Sequence, residues 1–153
     1  MITLQPMTPD EYARFKADMY EDYAQSRSRG MGTPIEQERI EGARQIDELT
    51  KHGLQSATHH YWTLRSDVDG NVGVLLVYVE AEKQRAFIYF IGVDEAYRGK
   101  GYAAQALTAL EAAVKPLGAA RIELNVFGDN TTAQRLYQRM GYQPSAIFMR
   151  KEI

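Results

Sequence analysis

The chain has 153 residues, of which 44% are hydrophobic and 25% charged, with no cysteine and a formal charge of −2. This size suits one domain with its own core, so we expect a single domain over residues 1–153. The lack of cysteine excludes disulfide scaffolds and cysteine nucleophiles, and it favours a reducing cytoplasmic location. No apolar run reaches the roughly 18–20 residues that cross a membrane. The interspersed charges give no surface for nucleic acid.

The N-terminal third of the sequence predicts one short strand and two helices. The strand is expected over residues 2–5. Residues 8–11, Thr-Pro-Asp-Glu, supply a capping side chain, a proline and an acid at a helix start, and apolar spacing continues to about Arg29. Residues 33–36, Thr-Pro-Ile-Glu, repeat the signal and predict a second helix to about His52.

The remaining sequence predicts three antiparallel strands followed by alternating helices and strands. A hairpin begins at His60, turns at Asp69-Gly70 and returns over residues 72–79, and a third strand covers residues 86–93. The later elements are a helix over 99–115, a strand over 121–127, a helix over 131–140 and a last strand over 146–150. The order β-α-α-β-β-β-α-β-α-β indicates an α/β (α+β) class with a mixed sheet.

A glycine-rich turn precedes the third helix, with the sequence Arg98-Gly99-Lys100-Gly101-Tyr102-Ala103. Free amides at a helix start, together with two cationic side chains, favour a phosphate ligand. The alternative is a turn that only caps the helix. A P-loop is excluded because its spacing and hydroxyl residue are missing. The Rossmann motif fits formally but belongs in the first βα turn of a parallel sheet.

Two segments resemble the GNAT superfamily of N-acetyltransferases. Residues 98–103 match its (Gln/Arg)-x-x-Gly-x-(Gly/Ala) motif and follow a strand that ends at Val93. Residues 130–142 resemble its Asn-x-x-Ala-x-x-x-Tyr-x-x-x-Gly-(Phe/Tyr) signature. The element order is also similar, and residues 149–153 are similar to the end of a bacterial subgroup. The resemblance is specific in the C-terminal half and weak before residue 60.

The resemblance implies that acetyl-CoA binds where the fourth and fifth strands, parallel in this family, splay apart. Amides of Arg98, Gly99, Gly101 and Ala103, with the Arg98 side chain, would hold the pyrophosphate. The pantetheine would pair with the strand edge near Ile91 and Val93. The full set of expected cofactor-binding residues is Ile91, Val93, Arg98, Gly99, Lys100, Gly101, Tyr102, Ala103, Asn130, Ala133 and Tyr137. No metal is expected.

Tyr137 is the expected catalytic residue, because it occupies the family's general-acid position. A phenol stays protonated at neutral pH and can donate to a departing thiolate. Spacing alone also allows a core tyrosine on the helix face of Leu136 and Met140. By resemblance, an amide near Val93 would stabilise the oxyanion. Asn130 would either brace the cofactor or cap its helix.

The sequence does not identify a general base. Many relatives carry an acid in the fourth strand, but residues 87–93 contain none. Glu80 and Glu82 could act through water, although solvated turn acids are commoner. His59 and His60 point to opposite faces of a strand, which excludes a shared metal site. Tyr89 could bond the acceptor.

Acceptor specificity is expected from the first two helices. Asp18 and Asp22 could attract a cationic amine, although a solvated face is the commoner reading. Other candidate residues are Tyr20, Tyr23, Arg27, Arg29 and Arg39, the arginines favouring an acidic group.

The sequence therefore predicts a cytoplasmic N-acetyltransferase that moves an acetyl group from acetyl-CoA to a primary amine of a small molecule or peptide. Attack is direct, within a ternary complex. The alternative is a non-catalytic acyl-CoA-binding sensor or interaction module, and another acyl group, such as propionyl or succinyl, also stays open. A homodimer could form through an exposed C-terminal strand edge.

Overall fold

Five strands form one sheet in the computed structural model, which describes all residues from Met1 to Ile153. The strands are β1 (Ile2–Pro6), β2 (His59–Ser66), β3 (Gly70–Glu80), β4 (Arg85–Val93) and β5 (Arg121–Leu124). Their order across the sheet follows the chain. The first four pair antiparallel, and β4 pairs with β5 in parallel. The predicted mixed α/β class and the parallel fourth and fifth strands are confirmed.

Four helices accompany the sheet: α1 (Pro9–Met31), α2 (Ile35–Leu49), α3 (Tyr102–Val114) and α4 (Thr131–Arg139). The start of α1 is as predicted, since the Thr8 hydroxyl accepts a hydrogen bond from the Glu11 amide. The start of α2 differs, because Pro34 occupies the cap position and the Thr33 hydroxyl donates to Glu38 instead. None of the helices is both long and apolar enough to cross a membrane.

The helices pack on the two faces of the sheet in separate clusters. On one face, α3 buries Leu107 and Leu110 against Leu75 and Val77 of β3. On the other face, α1 and α2 bury a smaller cluster of Met7, Phe15, Met19, Ile46, Tyr61 and Leu76. Side chains of α4 pack against the α3 cluster. The two faces are therefore divided between α3 with α4 and α1 with α2.

The predicted last strand over residues 146–150 is wrong. This segment carries no strand and pairs with no neighbour, and Ile147, Phe148 and Met149 are 77%, 78% and 83% exposed. The guanidinium of Arg150 lies against Gly32, at the turn between α1 and α2. Alternating apolar residues form a strand only beside a partner strand, and here the chain does not bring them to one.

A buried ion pair fixes α1 against α2. The Glu38 side chain is 3% exposed and accepts a hydrogen bond from Arg27 Nε at 2.5 Å and one from the Thr33 hydroxyl at 2.7 Å. These hydrogen bonds hold the pKa of Glu38 below its usual range. A charge removed from water in this way is tolerated only while its partners remain in place.

Replacing Glu38 should loosen the two helices. Glu38→Gln is expected to lower the free energy of unfolding by about 3 kcal/mol, because Arg27 is left without its partner. The Glu38 pKa is lower in the folded than in the unfolded state, so the wild-type advantage is complete above the ordinary glutamate range. It disappears as the pH falls through the lowered folded value. Denaturant titration at several pH values measures both effects.

The matched control is Glu41→Gln, which removes an exposed carboxylate that pairs with Arg44 on α2. We expect little change in unfolding for this variant. Equal losses for both variants would contradict the special role given to Glu38.

Candidate functional site

The turn between β4 and α3 presents a row of free backbone amides. Gly99 and Gly101 have φ values of 79° and 81°, and Gly101 caps α3. The amides of residues 99–104 donate no hydrogen bond within the protein. A Cβ at either glycine would meet no atom within 4 Å, so no other part of the protein packs on the turn at these two positions. Such a helix start attracts an anion.

Two cationic side chains flank this turn, and each is held in place. Arg98 Nε donates to the Val93 carbonyl at 3.0 Å, at the end of β4. Lys100 Nζ donates to Asp69 at 2.9 Å, in the turn between β2 and β3. The Arg98 amide, which the family resemblance implied as a ligand, instead donates to the Glu95 carbonyl at 3.3 Å. The free charge at the turn therefore comes mainly from the Arg98 guanidinium.

Tyr102 anchors the start of α3 from inside. Its side chain is 8% exposed, and its hydroxyl donates to Asp69 at 2.5 Å and accepts from the Ser66 hydroxyl at 3.1 Å. Hydrogen bonds from Tyr102 and Lys100 lower the pKa of Asp69. The side chains of Lys100 and Tyr102 thus tie the turn to the hairpin, while their amides remain free.

Next to this turn, β4 separates from β5. The two strands pair only from Arg85 to Ile88 of β4, opposite Arg121 to Leu124. In the pairing with β3, Leu76 lies opposite Phe90 and Val77 opposite Ile88, so Tyr89 is an extra residue in β4. A bulge of this kind bends its strand. The edge of β4 beyond Ile88 faces no strand.

Ile91 and Val93 lie on this unpaired part of β4. Both side chains are half-buried and pack against the α3 cluster. Their backbone lies at the open edge, because the pairing of β4 with β5 ends at Ile88. An extended ligand can pair with such an edge through main-chain hydrogen bonds.

On α4, Tyr137 and Asn130 have distinct environments. The Asn130 side chain accepts from the Ala133 amide at 3.2 Å, which makes it the helix cap. The Tyr137 ring is half-buried 5.7 Å from the Tyr142 ring, and its hydroxyl has no partner within the protein. Burial raises the pKa of Tyr137. Its phenol is therefore protonated at neutral pH and free to donate.

The predicted base candidates in the strands and turns are mostly engaged elsewhere. Glu80 pairs with Lys83 at 2.8 Å and with Arg85 at 3.0 Å. His59 stacks on Tyr78, with ring centroids 4.8 Å apart, while His60 stacks on Trp62. The two histidines lie on opposite faces of β2, as predicted. Burial lowers the pKa of each.

Several predicted acceptor residues are also occupied by structural contacts. Tyr20 donates to Asp47 and Tyr23 to Gln45, both on α2. Arg27 pairs with Glu38, and Arg39 pairs with Glu21 and Glu36. These contacts join α1 to α2 or stay within α2.

A cavity of about 200 Å³ lies between the C-terminal part of α1 and the segment after β5. It is lined by Ser26, Arg29, Phe127, Asp129 and Asn130. Arg29 and Asp129 approach within 3.8 Å. The cavity lies beside Asn130, the cap of α4.

A family model described as Acetyltransferase (GNAT) family matches residues 16–142. The chain belongs to the GNAT acetyltransferase family. Two proteins of Bacillus subtilis that are named uncharacterized N-acetyltransferases, YycN and YdgE, are similar to it, at 34% and 37% identity over 154 residues. These alignments cover 99% of this chain and 99% and 98% of the relatives.

Solved structures extend the comparison to the GNAT fold. The crystal structure of the acetyltransferase YycN from B. subtilis has a TM-score of 0.95 at 34% identity and covers 100% of this chain and 99% of its own. The AAC(6')-Iy protein, solved with the bisubstrate analogue CoA-S-monomethyl-acetylneamine, has a TM-score of 0.62 at 16% identity, covering 100% of this chain and 99% of its own. At that identity the second likeness concerns the fold alone.

Within this GNAT fold, sequence reasoning found the glycine turn and the free hydroxyl on α4. It missed Asp69, which anchors Lys100 and Tyr102 from another turn. The Asp69-Gly70 pair was a visible turn signal, but no local pattern connects it to residues more than thirty positions later. It also missed the extra residue in β4, because a bulge depends on the partner strand.

The left-handed conformation of Gly101 gives a direct test of the turn. Gly101→Ala should lower the free energy of unfolding by about 1–2 kcal/mol, because an L side chain is strained at this φ although it meets no atom. Gly128→Ala serves as the control, since Gly128 also has open space around it but no positive φ. Thermal and denaturant unfolding would measure both; a loss in Gly128→Ala equal to that in Gly101→Ala would contradict the prediction.

Proposed function

We propose that this GNAT chain transfers an acetyl group from acetyl-CoA to a primary amine of a small molecule or peptide. The acceptor attacks the thioester directly in a ternary complex. The observation that carries the proposal is the row of free amides at residues 99–104, placed where β4 separates from β5. Holding both reactants in one cleft converts the reaction to an effectively unimolecular step.

The free amides suit a pyrophosphate. The N–H groups of Gly99, Gly101 and Ala103 donate to no protein atom, and Arg98 adds a guanidinium whose Nε is fixed by the Val93 carbonyl. A diphosphate fits this donor set, because several N–H groups and one cation share its charge without a metal. Lys100 and Tyr102 would contribute amides, their side chains remaining on Asp69.

The open edge of β4 supports the placement of the pantetheine arm. An extended chain beside Ile91 and Val93 would take the place that a fifth strand leaves free beyond Ile88. A β4 amide near Val93 would then stabilise the oxyanion. Ala133, half-buried in the first turn of α4, would border the cofactor, and the Asn130 cap would position that turn.

Tyr137 is the proposed general acid. Its phenol has no partner in the protein, and burial keeps its pKa raised. When the amine has attacked, the sulfur leaves as a thiolate and Tyr137 gives it a proton. The hydroxyl recovers that proton from the solvent or from the product amine, so the tyrosine is unchanged after a cycle.

Several finer parts of the proposal rest on the sequence. The single domain over residues 1–153, the cytoplasmic location and the choice of acetyl over a larger acyl group remain predictions. A homodimer is also still proposed, but not through a C-terminal strand, since none is present. The free outer edge of β5 and the exposed residues Ile147, Phe148 and Met149 support contact with a second copy.

The function is tested by combining calorimetry with coenzyme A and a thiol-release assay with acetyl-CoA across a panel of primary amines. We expect coenzyme A to bind and at least one amine to release thiol. Binding without turnover on any amine would favour the acyl-CoA sensor instead. The absence of binding would overturn both functions.

Tyr137→Phe tests the general acid. This change removes only the hydroxyl, so we expect kcat to fall by about 100-fold while the affinity for coenzyme A stays near the wild-type value. Tyr142→Phe is the control, because that buried hydroxyl lies beside Tyr137 without a partner in the protein. Equal turnover in wild type and Tyr137→Phe would remove the assignment.

A further inference from the structure

Helix α1 bridges the two strands that separate. Near its N-terminal end, the Phe15 ring lies 5.7 Å from the Phe90 ring of β4. At its other end, Gly30 packs so closely on the Phe127 ring, just after β5, that a Cβ there would overlap it. The intervening part of α1 therefore crosses the mouth between β4 and β5 on the face opposite to α3.

The helical repeat decides which side chain faces this mouth. Phe15, Asp22 and Arg29 are each seven residues apart, close to two turns, so they share one face of α1. Phe15 contacts β4, and Arg29 approaches Asp129 after β5 at 3.8 Å. Asp22 lies midway, about 10 Å along the axis from each. The side chain of Asp22 therefore faces the gap between β4 and β5, where neither strand packs against α1.

The charges around Asp22 agree with this placement. Asp22 is exposed and its carboxylate has no hydrogen-bond partner within the protein, so it is open to a ligand. Partial loss of solvent around it, together with the Asp18 carboxylate, raises the pKa of Asp22. The Arg98 guanidinium, fixed at the end of β4, is close enough to oppose that shift. Asp22 therefore lies near the start of the proposed coenzyme A site, although it belongs to the opposite face of the sheet.

We propose that Asp22 receives the acceptor amine, binding it as an ammonium ion and removing one proton before attack. This inference rests on the proposed function and names the base that β4 lacks. The ammonium gives a proton to the carboxylate, the neutral nitrogen attacks the thioester carbon, and the C–S bond breaks. Tyr137 protonates the sulfur and regains a proton from the acylated nitrogen, which becomes the neutral amide, and Asp22 passes its proton to water.

The surrounding groups define the class of acceptor. Asp18 on α1 reinforces the negative potential, and Arg98 is the one cation that bears on Asp22. Arg29, the next residue on that face, is offset by Asp129. A cationic primary amine without an anionic group next to its nitrogen suits this field.

The absence of cysteine allows a proximity test that needs no acceptor. In Asp22→Cys, the introduced thiolate can displace bromide from bromoacetyl-CoA and form a thioether, which intact-mass spectrometry detects. Glu21→Cys is the matched control, because the Glu21 side chain turns towards Arg39 of α2. We expect Asp22→Cys to react at least about ten times faster, through its proximity to the bound reagent, and to be protected by coenzyme A.

Kinetics provide the second arm. Asp22→Asn should lower kcat/KM by about 100-fold and leave coenzyme A affinity unchanged, whereas Glu21→Gln should behave as wild type. Equal labelling of the two cysteine variants, or full activity in Asp22→Asn, would overturn the role of Asp22 while leaving the acetyl transfer intact. Failure of the wild type to bind coenzyme A would overturn both proposals.

Discussion

The separation of β4 from β5 is the constraint on which the site depends. The two strands share hydrogen bonds only as far as Ile88 and Leu124, and the extra residue Tyr89 follows at once on β4. A bulge bends its own strand, and β5 ends at Leu124, so β4 continues beyond this point without a strand beside that edge. Everything assigned to the cofactor lies beside the opening that results.

The opening is supported on each side by a different kind of contact. On the α3 side, Tyr102 and Lys100 both bond Asp69, so the hairpin between β2 and β3 holds the start of α3 in place. On the other side, the buried pair of Arg27 and Glu38 keeps α1 against α2. Neither set of side-chain contacts would touch coenzyme A or the acceptor amine. Each holds in place a helix, α3 or α1, that would contact one of them.

The position of α1 on the side of the opening away from α3 explains how a chain without a carboxylate in β4 can still supply a general base. The proposed base, Asp22, comes from α1, which crosses the opening from the Phe90 ring to the Phe127 ring. Several carboxylates near Asp22 on α1 and α2, among them Glu21, Glu38 and Asp47, pair with an arginine or a lysine, whereas Asp22 has only the more distant Arg98. A carboxylate left without a close partner beside a cleft is available for a cationic substrate.

The sequence by itself determined the parts that depend on neighbours in the chain. The cap of α1 at Thr8, the hairpin turn at Asp69-Gly70 and the left-handed glycines before α3 follow from local backbone chemistry. Only the tertiary structure decided the parts that depend on distant segments. The bulge at Tyr89 is defined only by the pairing of β4 with β3. The segment around Met149 has no partner strand beside it and stays exposed. The direction of the Asp22 side chain depends on the contacts that α1 makes at its two ends. Long-range pairing is not encoded in any short stretch, because the same apolar alternation forms a strand or an exposed segment according to what lies beside it.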